Sequence, residues 1–224
     1  MPKAAAKKRE SLSQVAYSQI RSMILKRELL PGQFINEAEL QQALELGRTP
    51  VREALLALSQ NGLVTVHPRK GVEITRPTLK AVHDIYEFRS LTELYILRRC
   101  FSAIDREWAA QLRALLESEQ THSDADPSQS EANFIHLDHR FHQELAATLN
   151  NQYINQQLRS MQDYLSLVRF SVWTPEEILD SNHTHIAILS AILDNDVEKA
   201  CLRMSAHLKN SYQEAMETML HMTF

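Results

Sequence analysis

Apolar side chains recur every three to four residues along most of the chain, and this spacing predicts α-helices. In the first third, three such stretches predict helices over residues 11–29, 36–46 and 48–60. Asn36 is suited to cap the second helix, and Ser11 or Ser13 the first. Residues 63–67 and 71–75 instead alternate apolar and polar side chains on either side of Pro-Arg-Lys, which predicts a β-hairpin.

The same helical spacing continues from residue 78 almost to the end of the sequence. It predicts six helices, over 78–103, 105–123, 130–149, 151–171, 175–194 and 196–220. The polar segment 121–130 separates two of them, and Asp105, Thr174 and Asp196 are suited as N-caps. Six helices joined by short loops predict an antiparallel bundle. The expected core comprises Ile85, Phe88, Leu91, Leu94, Leu112, Leu115, Phe134, Leu137, Phe141, Leu145, Leu158, Met161, Leu165, Ile188, Ile192 and Leu208.

Composition and charge divide the chain in two. Of its 224 residues 44% are hydrophobic and only 4 are glycine, which suits a mainly helical globular protein. Residues 1–76 contain 12 Lys and Arg against 7 Asp and Glu, whereas residues 77–224 contain 12 against 21. A basic part joined to an acidic part indicates that only the first meets a polyanion. We therefore expect a disordered basic tail over 1–10, one domain over 11–76 and a second over 77–224, with Pro77 at the boundary.

The sequence argues against a membrane-bound or secreted protein. No apolar run approaches the length that spans a bilayer, so no membrane partner is expected. The first ten residues are charged without a following apolar stretch, unlike a secretory signal. The two cysteines, Cys100 and Cys201, fit a reducing compartment and have no neighbours at metal-site spacing. These features predict a cytoplasmic protein.

Three helices followed by a hairpin, with a short turn between the second and third helix, describe a winged helix-turn-helix. In that arrangement the third helix enters the DNA major groove with its N-terminus first. Any one of its charges alone would be an ordinary solvated side chain, but their order and spacing together favour DNA contact. The side chains predicted to contact DNA are Arg48, Thr49 and Arg52 at the helix start and Arg69 and Lys70 at the hairpin tip.

The stretch PGQFINEAELQQALELGRTPVREALLALSQNGLVTVHPRKGVEIT resembles the DNA-binding domain of the GntR superfamily of bacterial transcription regulators. The similarity covers about residues 11–76, and RTPVREAL…L…GLV…P.KG is its specific part. It implies operator contacts by Arg48, Thr49, Arg52 and the hairpin tip around Lys70 and Gly71. This chain has Glu45 and Gly47 where the family usually has glycine and a small polar residue. We therefore expect a shifted or relaxed turn and the loss of a hydroxyl contact at Gly47.

A group of polar residues in the second part has the chemistry of a metal site. Asp138 and His142 are four residues apart and project from one face of a helix. His185 lies about nine residues before the Asp-Asn-Asp turn at 194–196, and His207 about eleven after it. An antiparallel hairpin brings both imidazoles to a similar height. The set suits Zn²⁺, Ni²⁺ or Mn²⁺, although each histidine alone is more often structural. The remaining nearby histidines, which we expect at the surface or around the site, are His136, His139 and His183.

The stretches LDHRFHQELA, HIAILSAI with a following D..KA, and MSAHL resemble the FadR C-terminal (FCD) domain. The count of six predicted helices resembles the shorter, VanR-like branch of that family. The resemblance implies that Asp138, His142, His185 and His207 ligate a divalent metal, and that the metal helps to hold a small carboxylate effector. The stretch DIYEFRSLTE resembles the first helix of that domain. Its Arg89 either clamps the carboxylate or pairs with Glu93 one turn on. A second effector-binding candidate is Arg169.

These features together predict a ligand-responsive transcription regulator, most often a repressor in this family, which binds a short palindromic operator as a homodimer. Alternatively, the protein is a regulator that responds to the metal ion itself, without an organic ligand. A metal-dependent enzyme is a third reading with little support. The sequence has no HExxH-type helix to supply a general base, and an enzyme leaves the winged helix unexplained.

Overall fold

A computed structural model describes residues 11–122, 127–169 and 175–221. The predicted tail at 1–10 and the predicted cap Thr174 lie outside the described residues. The described chain forms two compact units, of which one ends at Arg76 and the other begins at Pro77. Within the described ranges, no helix has the length and apolar character needed to cross a bilayer.

The first unit contains three helices: α1 (Leu12–Leu25), α2 (Glu37–Leu44) and α3 (Arg48–Gln60). Ser11 caps α1 in a capping box with Gln14, and Asn36 caps α2 by accepting a hydrogen bond from the Ala38 amide at 2.9 Å. Glu45 ends α2 in the left-handed conformation, with φ of 54°. The turn between α2 and α3 is therefore closed by a non-glycine residue in a conformation that glycine adopts more easily.

A small antiparallel sheet completes the first unit. Its strands β1 (Phe34–Ile35), β2 (Val64–His67) and β3 (Gly71–Ile74) lie in the order β1-β3-β2. β2 and β3 form the predicted hairpin, with Val66 opposite Val72. β1 was not expected, because two residues are too few to show an alternating pattern. The mainly helical fold with a winged helix-turn-helix is thus confirmed.

The second unit contains six helices among the described residues. They are α4 (Leu79–Cys100), α5 (Arg106–His122), α6 (Pro127–Ala147), α7 (Gln152–Arg169), α8 (Pro175–Leu193) and α9 (Val197–His221). A short 3-10 helix, Phe101–Ala103, follows α4 where a continuous α-helix was predicted. The predicted break over 121–130 was too long at its C-terminal end, because α6 already begins at Pro127. Proline fits the first turn of a helix, where its missing amide hydrogen costs nothing.

Two side-chain contacts define how α4 and α9 pack. His83 Nδ1 lies 3.0 Å from the Tyr212 hydroxyl, and Arg98 Nη2 donates to Glu198 Oε2 at 3.3 Å. The residue near the start of α4 contacts the second half of α9, and the residue near the end of α4 contacts the start of α9. The two helices therefore run antiparallel. α8 packs against α5, α6 and α9, and α7 packs against α4, α6 and α9.

The core of the second unit has two apolar clusters separated by polar side chains. Along α4, Arg89 and Glu93 lie between Tyr86 of one cluster and Ile96 of the other. Most of the predicted core residues are buried, but Leu91 is 70% exposed and Leu115 is 43% exposed, so these two predictions were wrong. Leu91 lies two residues from the buried Arg89 and therefore points away from the buried face. The predicted core side chain of Phe134 lies outside the described residues.

Candidate metal site and DNA-contacting surface

The first turn of α3 presents Arg48, Thr49 and Arg52 to solvent. Its other face carries Val51, Ala54, Leu55 and Leu58, all buried in the first unit. The N-cap is Gly47, which has no side chain to bond the first backbone amides of α3. These amides and the positive end of the helix dipole therefore stay available to an anion.

Arg52 is held in place by a contact with the preceding helix. Its Nε donates to Glu37 Oε2 at 2.9 Å, and the Arg52 side chain remains 52% exposed. The ion pair joins α3 to the start of α2. It restricts the guanidinium while leaving half of the side chain accessible, although the Glu37 carboxylate also offsets part of its positive charge.

The hairpin tip carries the other predicted DNA-contacting residues. Arg69 and Lys70 are exposed, and the Lys70 amide donates to the His67 carbonyl at 3.1 Å to close the turn. Gly71 has φ of +105°, a conformation that other residues rarely adopt. A Cβ atom at this position would also lie 3.4 Å from the Ile35 carbonyl oxygen. Gly71 therefore shapes the tip, while the charge comes from its two neighbours.

Asp138, His142, His185 and His207 come together in the second unit, supplied by α6, α8 and α9. All four side chains are buried, and one ligand atom from each lies within 4.8 Å of the others. His142 Nε2 is 3.4 Å from His207 Nε2. Asp138 Oδ1 is 3.7 Å from His142 Nε2 and 3.8 Å from His185 Nε2. Ligands of one ion bound at about 2.1 Å lie at similar distances from one another.

Hydrogen bonds fix which nitrogen of His142 faces this cluster. Its Nδ1 lies 2.6 Å from Glu93 Oε2, and its Nε2 lies 3.0 Å from Arg89 Nη2. A carboxylate only accepts and a guanidinium only donates. His142 therefore carries its proton on Nδ1 and is unprotonated at Nε2, whose lone pair accepts from Arg89 Nη2 and would have to exchange that contact for a metal ion.

Hydrogen bonds also fix the tautomer of His207. Its Nδ1 lies 2.8 Å from Thr184 Oγ1, and Thr184 donates its only hydroxyl hydrogen to the Ser181 carbonyl at 2.8 Å. Thr184 must then accept the proton of His207 Nδ1, so that Nε2 of His207 is also unprotonated. Burial, followed by the nearby His185 and His142, holds the pKa of His207 well below its usual value.

Two unprotonated nitrogens and a carboxylate thus converge inside the protein. Lone pairs and negative charge repel one another at these distances in a low-dielectric interior. A divalent cation would remove that repulsion, and three imidazoles with one carboxylate are ligands that zinc and its neighbours accept. The residues present fit a metal ion.

Arg89 takes part in a buried ion pair. Its Nε donates to Glu93 Oε1 at 2.6 Å, and both side chains are almost fully buried. Burial alone raises the pKa of Glu93, but the charge of Arg89 and the hydrogen bond to His142 outweigh it and lower that pKa to about 2. Arg89 Nη1 is buried without a hydrogen-bonding partner among the described residues. The predicted pair with Glu93 is present, and one guanidinium nitrogen remains available.

The other residues singled out in the sequence lie elsewhere. His136 and His183 are exposed, and His139 lies 3.3 Å from Ser166 Oγ through its Nε2. The side chain of Arg169, the second effector-binding candidate, is outside the described residues.

The sequence did not reveal two polar residues that contact the cluster, or two further buried polar residues of the second unit. Glu93 was considered only as a partner of Arg89, and Thr184, Gln162 and Asn182 were not considered at all. Gln162 and Asn182 are buried, and Thr184 is partly buried. Their burial could have been suspected from the sequence, because polar side chains such as Gln162 occupy positions where the helical spacing predicts a buried side chain, here four residues after Leu158.

Comparisons with known proteins match two separate stretches of the chain. Residues 12–74 match the family of bacterial regulatory proteins called the gntR family, and residues 84–210 match the FCD domain. The Nta operon transcriptional regulator of Aminobacter aminovorans is 29% identical over 84% of this chain and 86% of its own length. The transcriptional repressor RspR of Escherichia coli strain K12 is 26% identical over 89% and 87%.

A solved structure has the same fold. E. coli McbR/YncC aligns with a TM-score of 0.79 over 93% of this chain and 98% of its own, at 18% identity. The matching families and named relatives are regulators, so the prediction of a regulator is confirmed and the enzyme alternative is set aside. The chain belongs to the gntR family of bacterial regulatory proteins, carries a C-terminal FCD domain, and is a DNA-binding transcriptional regulator.

Proposed function

We propose that this regulator is a repressor whose affinity for its operator changes when a small organic acid binds at a metal ion in the FCD domain. The observation that carries the proposal is the buried convergence of two unprotonated imidazole nitrogens and a carboxylate. Repression is further supported by RspR, a relative named as a transcriptional repressor. In this proposal, residues 11–76 bind DNA and residues 77–224 bind the effector and form the dimer.

Asp138, His142, His185 and His207 would hold the metal. Zn²⁺ is the favoured ion because imidazole and carboxylate ligands in a compact set suit it, and Ni²⁺ or Mn²⁺ are the other candidates. When bound, the ion supplies positive charge and exchangeable coordination positions that a carboxylate oxygen can occupy. Glu93 and Thr184 orient two of the ligands by accepting their Nδ1 protons.

Arg89 is the proposed second contact for the effector carboxylate. Its Nη2 already lies 3.0 Å from His142 Nε2, a metal-facing atom, and its buried Nη1 is available to an acceptor. A guanidinium can bind a carboxylate through two parallel hydrogen bonds. The ion pair with Glu93 keeps the guanidinium beside the cluster. Arg169 remains a proposed contact on sequence grounds alone.

The proposed operator contacts are those of the exposed α3 start and the hairpin tip. Arg52 can bind guanine O6 and N7, and Thr49 a phosphate or a thymine methyl group. Arg48 adds charge at the free amides of the helix N-terminus. Arg69 and Lys70, at a turn shaped by Gly71, reach the adjacent groove or backbone.

We further propose that the regulator is a homodimer formed through the outer face of α4 and α9. Leu91 is 70% exposed and Leu202 is 71% exposed, and Tyr95 is exposed one turn after Leu91. All three lie between the His83–Tyr212 and Arg98–Glu198 contacts along the helix pair. Exposed apolar side chains grouped on one face are typical of association surfaces. Two copies would present two α3 helices to a palindrome.

The test begins with the operator. Selection from genomic fragments with the full-length protein would give the bound sequence, and fluorescence anisotropy would then measure affinity at one fixed salt concentration. We expect the Zn²⁺-loaded protein to change its operator affinity when a panel of small organic acids is added. The variant carrying His142→Ala and His207→Ala should bind operator but give no response to any acid.

The matched control carries His136→Ala and His183→Ala, two exposed histidines outside the cluster. It should keep both metal binding and the response to acid. Stoichiometric zinc in the His142→Ala, His207→Ala variant would contradict the ligand set. An operator affinity that follows metal concentration alone, with no acid having any effect, would favour a metal-responsive regulator instead.

A further inference from the structure

Gln162 has two buried polar atoms whose hydrogen bonds are unaccounted for. Its side chain is 3% exposed, and neither Nε2 nor Oε1 has a hydrogen-bonding partner among the described residues. Burying an amide without partners costs free energy, so such groups are normally satisfied by protein, water or ligand. Both a donor and an acceptor are therefore available at one place inside the second unit.

The position of Gln162 relates it to the metal site. It lies on the buried stripe of α7 between Leu158 and Leu165, which belong to the two different apolar clusters. α7 packs against α4, α6 and α9, the helices that carry Arg89, Asp138 with His142, and His207. Gln162 thus lies at the boundary of the apolar clusters, as Arg89 and Glu93 do on α4.

A contact between α7 and α6 fixes the same orientation. Ser166, one turn after Gln162, donates its hydroxyl hydrogen to the Gln162 carbonyl at 3.0 Å. Its oxygen lies 3.3 Å from Nε2 of His139, the residue that follows Asp138. This face of α7 is therefore directed at the part of α6 that carries the metal ligands.

Asn182 provides a second acceptor near the site. It is 2% exposed, it precedes His185 by three residues on α8, and its Oδ1 has no hydrogen-bonding partner among the described residues. Residues three apart on a helix share a face. The available atoms are thus two acceptors, on Gln162 and Asn182, and two donors, on Gln162 and Arg89.

We propose that Gln162 binds a hydroxyl group of the effector, so that the effector is a hydroxylated carboxylic acid and not a plain hydrocarbon acid. The inference rests on the proposed function, which supplies the carboxylate contact at Arg89 and the metal. A hydroxyl group donates one hydrogen bond and accepts others, which matches an amide acceptor and an amide donor together. A keto group has no hydrogen to donate, so it would leave the Gln162 acceptor unpaired. A neutral amide also gives no compensation for a second charge.

The test uses full-length Zn²⁺-loaded protein and matched pairs of monocarboxylates. The pairs are propionate with lactate, butyrate with 3-hydroxybutyrate, and butyrate with 4-hydroxybutyrate, each titrated by calorimetry. We expect the hydroxylated acid of at least one pair to bind more than about tenfold tighter, because a site built for a hydroxyl leaves polar groups unpaired when it is missing. Gln162→Met should abolish that preference and leave the affinity for the plain acid within about twofold.

A stability measurement separates this role from a structural one. Without ligand, Gln162→Met should raise Tm by about 2–4 °C, because a side chain of similar size replaces two unpaired buried atoms. The control Gln157→Met changes an exposed glutamine on the same helix and should alter neither Tm nor the preference between acids. A lower Tm for ligand-free Gln162→Met would mean that Gln162 has a structural partner, which overturns the proposal.

The remaining outcomes distinguish a failure of the hydroxyl proposal from a failure of the proposed function. If plain and hydroxylated acids bind equally and both change operator affinity, the hydroxyl proposal fails and the proposed function stands. If the preference survives in Gln162→Met, the assignment of Gln162 is wrong. If no acid binds to the metal-loaded protein, the proposed function fails and this inference fails with it.

Discussion

At the scale of single residues, the carboxylate of Glu93 links two functions of the buried site. One oxygen accepts from Arg89 Nε, and the other accepts from His142 Nδ1. The first contact neutralises a buried guanidinium, and the second sets the tautomer of a histidine that we propose as a metal ligand. Outer hydrogen-bonding partners of this kind affect metal affinity although they do not touch the ion.

Glu93→Gln should weaken Zn²⁺ binding by about 10- to 100-fold, because the neutral amide is a poorer acceptor for His142 and no longer balances Arg89. Competition titration with a chromogenic chelator measures the affinity. Glu87→Gln, an exposed position on the same helix, is the control and should bind zinc as the wild type does. Equal zinc affinity in both variants would show that Glu93 does not orient the ligand.

Glu93 also gives the metal-free protein a specific pH dependence. Its pKa is lowered from 4.5 to about 2, because Arg89 and the hydrogen bond to His142 outweigh the effect of burial. Since the folded pKa is depressed, this carboxylate stabilises the fold above about pH 4.5, and the contribution is lost as the pH falls toward 2. Urea unfolding at pH 7, 4 and 3 should show a smaller loss of stability for Glu93→Gln than for the wild type.

The metal-ligand set could be proposed from the sequence, but its surroundings could not. Asp138 and His142 are four residues apart, and the positions of His185 and His207 around one turn give comparable heights. The contact of Glu93 with His142 depends instead on how α4 packs against α6. No local spacing encodes that packing, so the contact became visible only in three dimensions.

At the scale of elements, α3 depends on α2 for the placement of Arg52 near its start. The Arg52–Glu37 pair is a partly exposed contact and contributes little to stability. In the proposed operator contact, the pair matters because it restricts the position of the Arg52 guanidinium and offsets part of its charge.

Arg52→Ala should weaken operator binding by about 1–3 kcal/mol if the guanidinium contacts a base, and should relax specificity at one position of each half-site. Glu37→Gln is the informative companion, because it frees Arg52 and removes a negative charge beside the phosphates, so we expect tighter binding. Anisotropy against operator and single-base variants measures both effects. An unaltered affinity and specificity in Arg52→Ala would exclude the base contact.

Helix spacing predicted the elements well where a helix is long and buried on one side. The bounds of α3 were predicted correctly, and Asn36 is the cap of α2 as expected. The prediction failed for β1, because a strand of two residues is too short to show an alternating pattern. It also failed for Leu91 and Leu115, because an apolar side chain on the outer face of a helix looks the same in sequence as one on the inner face.

At the scale of the whole molecule, the proposed dimer determines whether two α3 helices can act together. Leu91→Glu combined with Leu202→Glu places two charges on the outer face of α4 and α9. We expect a monomer by light scattering and a large loss of affinity for the full palindrome, with zinc binding retained because both positions are on the surface.

Tyr153→Glu changes an exposed aromatic residue on α7 and serves as the control for charge and exposure. It should remain dimeric and bind the palindrome normally. A double variant of Leu91 and Leu202 that is still dimeric would place the association surface elsewhere.

The buried arginine and its neighbours have a further consequence, which concerns net charge. Arg89, Glu93 and Asp138, together with three imidazoles neutral as metal ligands require, sum to one negative charge. A divalent cation changes that sum to one positive charge, and a monocarboxylate then returns it to zero. Because a low-dielectric interior disfavours any excess charge, each ligand should increase the affinity for the other by the same factor. The site would then bind a metal and an acid as an electrically neutral pair and would disfavour dianions.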